Sequence, residues 1–305
     1  MRWIAVPLAL LLLSCASAPH PAGSLPGEVE RIVARQGDKR LIAVAYQHLG
    51  TGAVFGLQDR ERFHAASTMK IPVMMALFDA VDRGALRLDE PIPVRNEFHS
   101  IMDGSTFVLD PGEDGDPDLY QAAGQTRPLE ELIRRMIVRS SNLATNLLIE
   151  KVGASTVMDL MRRVEAYDIR VLRGVEDEKA FAAGMNNAVT AHDLLIALET
   201  IAGNTGDRAF SKASSERMIE ILKAQEFNEK IPAGLPPGTP VAHKTGDITG
   251  VHHDAAIVFP PGEQPYVLVV LTAGFQDEKD ADRVIAEISR TVWERRGEMP
   301  AGVKN

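Results

Sequence analysis

The sequence predicts an α/β part built on one antiparallel sheet flanked by helices, with an all-α part inserted between the two halves of that sheet. Two features of the chain predict it. Runs of β-forming residues gather toward the ends, from Leu41 to Leu57 and from Val241 to Leu271, whereas Thr68 to about Leu222 places its apolar residues mostly at helical spacing. If both ends share one sheet, the middle is a helical insertion, and a site would lie in the crevice between the two parts.

Composition permits such a body. The chain has 305 residues, 45% hydrophobic and 25% charged, enough to bury a sizeable core and unlike a disordered acidic tail. Its 33 basic against 42 acidic residues leave a net charge of -9, which argues against nucleic acid as a partner. Cys15 is the single cysteine, so neither an intrachain disulfide nor a Cys-rich metal site can form.

In chain order, Arg2 precedes an apolar run from Ile4 to Leu13, too short to span a bilayer as a helix but suited to a secretory signal. Leu12-Leu13-Ser14-Cys15 resembles a bacterial lipoprotein cleavage box. Residues 1–14 are therefore read as a signal peptide, with Cys15 the lipidated first residue of a chain held in the periplasm or on the envelope membrane. Cleavage after Ala16-Ser17-Ala18 is the competing reading. Residues 15–27 serve as a tether, its His20 to Gly27 part rich in Pro and Gly. Residues 28–305 form one domain, with 28–66 and 223–305 as its α/β part and 67–222 as its helical part.

Within that domain Glu28 to Gln36 is helix-like, and Leu41–Tyr46 and Ala53–Leu57 make a hairpin around Gly50-Thr51-Gly52. Helical periodicity marks Leu129–Val138, Ala144–Val152, Thr156–Val164 and Ala191–Ile201. Strands return at Val241–Lys244, Ala255–Phe259 and Tyr266–Leu271, with a turn at Pro260-Pro261-Gly262, and Asp280–Arg295 closes the chain as an amphipathic helix. Asp110 to Asp118 lacks the spaced ligands of a calcium loop and reads as a solvated insertion.

Chemistry concentrates at three places. Ala65 to Pro72 opens the most apolar helix, and Pro72, which lacks an N–H and clashes with the carbonyl four residues back, sets the helix start close to Ser67. Lys70 then lies three residues on and on the same side, and in so apolar a setting its amine loses solvation and can act as a base for the Ser67 hydroxyl. Ser140-Ser141-Asn142 offers a second hydroxyl and an amide at the mouth of another helix. Lys244-Thr245-Gly246 offers a cation and a hydroxyl at a strand end, able to grip a carboxylate, with a glycine that admits close approach. Taken singly, these are equally an N-cap with a snorkelling lysine, a capping turn and a strand end.

Together and in this order, S-x-x-K, S-x-N and K-T-G make the chain resemble the serine β-lactamases and penicillin-binding proteins. The resemblance implies a β-lactamase/transpeptidase-like fold and an active-site Ser67. On the class A pattern, Glu176 of Arg173-Gly174-Val175-Glu176-Asp177 is the omega-loop glutamate that activates the deacylating water. Asn146 matches an asparagine that braces that loop, and the backbone N–H groups of Ser67 and Asp247 form the oxyanion hole. Three departures stand out: Ser141 replaces the usual aspartate, Asp247 follows K-T-G where a small residue is usual, and Asp177-Glu178-Lys179-Ala180 lacks the asparagine that helps hold the water.

The implied activity is opening of a small-molecule β-lactam through an acyl-enzyme on Ser67, by a monomer needing no metal or organic cofactor. Lys70, Ser140 and Glu176 would be catalytic, with Asn142, Lys244, Thr245, Gly246 and Asp247 binding substrate. Two alternatives are a related peptidase or esterase acting on cell-wall peptides or small esters, and a non-catalytic envelope binding lipoprotein. His252 and His253 point to opposite strand faces and do not readily share a zinc ion, while His64 and His243 are expected to pack or hydrogen-bond locally.

Overall fold

The computed structural model describes Pro21 and residues 23–203 and 209–298. The signal segment and Cys15 lie outside the described residues. In chain order the elements are α1 (Leu25–Ala34), β1 (Leu41–His48), β2 (Val54–Leu57), β3 (Phe63–His64), α2 (Lys70–Asp82), β4 (Pro91–Pro93), β5 (Phe98–His99), β6 (Thr106–Phe107), β7 (Thr126–Pro128), α3 (Leu129–Val138), α4 (Asn142–Val152), α5 (Ala154–Arg163), α6 (Glu178–Ala182), β8 (Ala188–Val189), α7 (Ala191–Ile201), α8 (Lys212–Lys223), β9 (Val241–Ile248), β10 (Val251–Val258), β11 (Tyr266–Ala273) and α9 (Glu278–Arg295). No helix among them is long and apolar enough to cross a membrane.

Both ends of the chain do share one antiparallel sheet, ordered β2-β1-β11-β10-β9. The N-terminal β1 pairs directly with the C-terminal β11, Val44 opposite Val270. Side-chain alternation divides the sheet's burial between two cores. Ile42, Val44, Tyr46, Leu268 and Val270 pack with α1 and α9. Ala43, Ala45, Val267, Val269 and Leu271 belong instead to the core that fills the helical part. The inserted helices and one sheet face are thus joined by continuous apolar packing, with α7 lying on β1 and β11. At the centre of the helical part α2 is buried from Lys70 through Ala80, as expected of a helix apolar on all sides.

The structure departs from the sequence reading in several places. Helix α1 starts at Leu25, inside the stretch read as tether, because the Ser24 side chain caps it and Leu25 is buried against the sheet. K-T-G lies in mid-strand rather than at a strand end, since β9 continues to Ile248 with Asp247 paired to His252. Around the serine, Ala66–Met69 forms a 3₁₀ turn and the α-helix starts only at Lys70, which puts Pro72 at its third position.

The Asp110–Asp118 segment is exposed as expected except at Asp114 and Asp116, which are buried. Asp116 is fully buried between Arg135 and Arg139 at 2.7 and 3.1 Å, and Asp114 accepts from the Leu143 N–H at 2.8 Å and the Tyr120 hydroxyl at 2.9 Å. Buried carboxylates persist because each is paired. The two-stranded ribbons β3–β8, β4–β7 and β5–β6 also went unread, being two or three residues long and too short for a period to show.

Candidate active site

Ser67 sits on the 3₁₀ turn that enters α2, half-buried. The preceding Ala66 takes φ of +44°, a strained choice for a residue with a Cβ, and its N–H donates to His64 Nδ1 at 3.1 Å. β9 is an edge strand laid against this turn. A Cβ at Gly246 would stand 3.0 Å from the backbone nitrogens of both Ser67 and Thr68, so only glycine lets the strand come this close.

The fully buried Lys70 directs its amine at the α3–α4 loop. Nζ lies 2.6 Å from the Ser140 carbonyl oxygen, 3.1 Å from Ser140 Oγ and 2.9 Å from Asn142 Oδ1. Burial, helped by the nearby Lys244 cation, holds the Lys70 amine well below its usual range. A neutral amine has two hydrogens for the two carbonyl-type oxygens and a lone pair left for the Ser140 hydroxyl. Lys244 is also fully buried, donates to the Thr245 carbonyl at 2.9 Å, and is lowered to about 7 by burial.

Ser140 takes φ of +58°, which turns it toward Lys70 while Ser141 caps α4 by accepting from the Ala144 N–H at 3.2 Å. That explains one departure from the class A pattern: the middle residue of S-x-N is a helix cap, a role serine and aspartate fill equally well.

Asn142 Nδ2 donates to Glu176 Oε1 at 2.8 Å, so one amide spans Lys70 and the glutamate, and its two partners fix its orientation. Glu176, at φ of +61°, is half-buried, and burial raises its carboxyl above the ordinary range although the Asn142 hydrogen bond and the Asp110 backbone pull it down. Asn146 braces the loop as expected, accepting from the Val175 N–H at 2.7 Å and donating to the Val175 carbonyl at 3.0 Å. A Cβ on Gly174 would lie 2.5 Å from Asn146 Oδ1, so the brace requires glycine there. Asp177 is consumed structurally: it caps α6 and accepts from Ser100 Oγ at 2.8 Å and the Ile101 N–H at 3.0 Å.

Ser67, Asn142, Glu176 and Asp247 line one cavity of about 420 Å³, walled further by His64 and Phe181. Lys70, Ser140, Lys244, Thr245 and Gly246 are not among its lining residues; Lys70 is linked to it by donating to Asn142 Oδ1, and also meets Ser140. Two strained non-glycine residues, Ala66 and Glu176, line this hollow, the usual place for stored backbone strain.

Three residues escaped the sequence reading. Asn187 accepts from the Leu172 N–H at 2.8 Å and donates to the Arg173 carbonyl at 3.0 Å, tying the glutamate loop down beside Met69. Asp114 underpins the Asn142–Leu143 turn. Lys230, buried, meets Asp247 at 3.0 Å. None carries a motif; only folding brings them to the site. Asp247, His252 and Glu278 bring potential ligand atoms within 4.8 Å of one another, but the Lys230 ammonium already sits against two of them and supplies the positive charge. His243 pairs with Asp254 at 3.0 Å and His64 with the serine turn, both local roles as expected.

A family model described as the beta-lactamase enzyme family matches residues 25–295. The chain is 28% identical to a beta-lactamase of Streptomyces fradiae, over 93% of this chain and 92% of that protein. It is 26% identical to the carbapenem-hydrolyzing beta-lactamase KPC of Klebsiella oxytoca, over 94% and 97%. Among solved structures, a mutant of PBP-A as an acyl-enzyme complex with penicillin G superposes with a TM-score of 0.76 at 26% identity, covering 93% of this chain and all of that one. A beta-lactamase from Sphaerobacter thermophilus matches with a TM-score of 0.75 at 27% identity, over 89% and 98%. On this family match and this fold, the chain belongs to the beta-lactamase enzyme family, as a class A and PBP-A-like serine hydrolase.

Proposed function

We propose that the protein opens β-lactam rings by acyl transfer and releases the product by hydrolysis. The observation that carries this reading is Glu176: a half-buried carboxyl on the Ser67 hollow, joined to Lys70 through Asn142. Ser67 Oγ attacks the lactam carbonyl, and its proton passes to Lys70 or, through a water, to Glu176. The oxyanion is met by the Ser67 and Asp247 N–H groups. Ser140 gives its proton to the ring nitrogen as the C–N bond breaks and regains one from Lys70, 3.1 Å away, which holds the proton taken from Ser67, received directly or handed on from Glu176. Lys244 and Thr245 hold the substrate carboxylate. Glu176, unprotonated again, then takes a proton from a water that attacks the ester and returns it to Ser67 Oγ as the acyl C–O bond breaks, so Ser67 leaves as its alcohol.

A second reading has its own observation. Asp177 is engaged by Ser100 and Ile101, and position 180 is a buried alanine, so residues 177–180 offer no side-chain amide to help hold the water. Deacylation would then be slow and the enzyme would act as a PBP-A-like peptidase or esterase inhibited by β-lactams. Export with removal of residues 1–14, a lipid on Cys15 and residence in the bacterial envelope complete the proposal; a non-catalytic envelope binder remains the outcome if Ser67 is inert.

Mass spectrometry of penicillin-treated protein over time tests this. An adduct on Ser67 that forms and leaves supports hydrolysis. A persistent adduct supports the second reading, and absence of any adduct overturns both.

A further inference from the structure

His64 belongs to none of the three motifs, yet its imidazole holds the backbone amide that enters the Ser67 turn. The Ala66 N–H donates to His64 Nδ1 at 3.1 Å. This closes the kind of side-chain turn, from a residue to the amide two places on, that asparagine and aspartate ordinarily form. Ala66 is buried and holds φ of +44°, a conformation that costs free energy for any residue with a Cβ. The dihedral angles of Ala66 set the direction of the next amide, which is the Ser67 N–H assigned above to the oxyanion hole. Relaxing Ala66 to a negative φ would swing that N–H and the serine hydroxyl away from the place they hold against Gly246.

His64 is itself held from several sides. Its backbone pairs with Ala188 in the β3–β8 ribbon, its carbonyl accepts from His253 Nε2 at 2.9 Å, and its ring packs edge to face with Phe181 on α6, the centroids 6.1 Å apart. The His253 tautomer is fixed in turn, because its Nδ1 accepts from the Thr272 N–H of β11 at 3.1 Å. Burial, and then the Arg173 cation, hold the His64 imidazole below its usual range, which favours the neutral ring that an acceptor nitrogen requires. His64 and Ala66 both line the Ser67 cavity.

We propose that His64 is a positioning residue for the nucleophile: through Nδ1 it holds Ala66 in its strained conformation and thereby aims the Ser67 N–H and hydroxyl at the substrate carbonyl. The proposal rests on the acyl-transfer reading above.

The test follows acylation of Ser67 by benzylpenicillin, read by rapid-quench mass spectrometry in wild type, His64→Leu and His64→Asn, with crystal structures of both variants. Asparagine places Oδ1 where the imidazole has Nδ1, so it keeps the acceptor without the ring. The expected result is a maximal acylation rate lowered at least about tenfold in His64→Leu, with the concentration for half-maximal acylation changed less than about threefold. His64→Asn is expected within about threefold of the wild-type rate. Ala66 keeps its positive φ in the asparagine variant and relaxes in the leucine variant. A leucine variant as fast as wild type, or an asparagine variant as slow as the leucine one, overturns the proposal. A change confined to the half-maximal concentration overturns it too, by making His64 a substrate contact. If His64→Leu does not fold, the nitrogen NMR shifts of the His64 ring in the native protein decide: a proton on Nδ1 overturns the proposal, and an unprotonated Nδ1 with the proton on Nε2 supports it. If wild type forms no adduct, the function reading falls and the crystal structures alone decide: Ala66 relaxed only in the leucine variant supports the proposal, and Ala66 unmoved in both overturns it.

Discussion

Lys70 Nζ stands 2.9 Å from Asn142 Oδ1, and the other end of that amide donates to Glu176 at 2.8 Å. The Lys70 amine and the Glu176 carboxyl are therefore oriented by a single side chain. Replacing Asn142 by Ala removes both contacts and leaves Lys70 with one fewer acceptor. Stability is expected to fall by about 1–3 kcal/mol and kcat/KM by about 100-fold, read from denaturant melts and steady-state rates.

The same variant carries a pH signature. The Asn142 hydrogen bond favours ionised Glu176, whereas burial disfavours it. The acid limb of deacylation is expected above the ordinary carboxylate pKa of about 4.3 in the wild type, and higher still in Asn142→Ala. A limb that moves down on losing the amide would contradict the assigned hydrogen bond.

Glu176→Gln keeps the shape of the side chain and removes its basicity. Acylation of Ser67 is expected to persist while the ester accumulates, with turnover lowered about 1,000-fold, visible as a stable mass adduct. An unchanged steady-state rate would take Glu176 out of the mechanism.

Lys244 links stability to pH. Its amine is lowered to about 7 in the folded protein, against about 10.4 unfolded, so between these values the unfolded chain binds more protons and stability rises with pH. The slope from this one group is at most about 1.4 kcal/mol per pH unit. Denaturant melts from pH 7 to 9 should show wild type gaining stability on Lys244→Met, and parallel curves would refute the shift.

Gly174→Ala forces a Cβ to 2.5 Å from Asn146 Oδ1 and must displace the brace or the loop. Deacylation should slow at least about tenfold, with acylation less affected, because the glutamate rides on this loop and the serine does not.

The Ser67 turn and the two companion motifs were legible in the sequence because each depends on local order: a proline that limits where a helix can begin, a cap, a strand that needs a glycine; Glu176 was picked out only by resemblance to the class A pattern. The sheet joining both ends followed from period-two runs, which long strands display and the two-residue ribbons β3, β5 and β6 do not. Within the acidic segment only Asp114 and Asp116 escaped the reading, because composition reports charge without its partners; Arg135 and Arg139 reach Asp116 from a later helix and its end.

From its sequence alone this protein had its architecture and its family determined, since periodicity and the order of three motifs lie along the chain. Only the tertiary structure decided how charge is distributed at the site: that Asn142 bridges Lys70 and Glu176, that Ser141 is a cap, and that Lys230 meets Asp247. Electrostatic energy and desolvation depend on distance and burial in space, and no one-dimensional pattern encodes either.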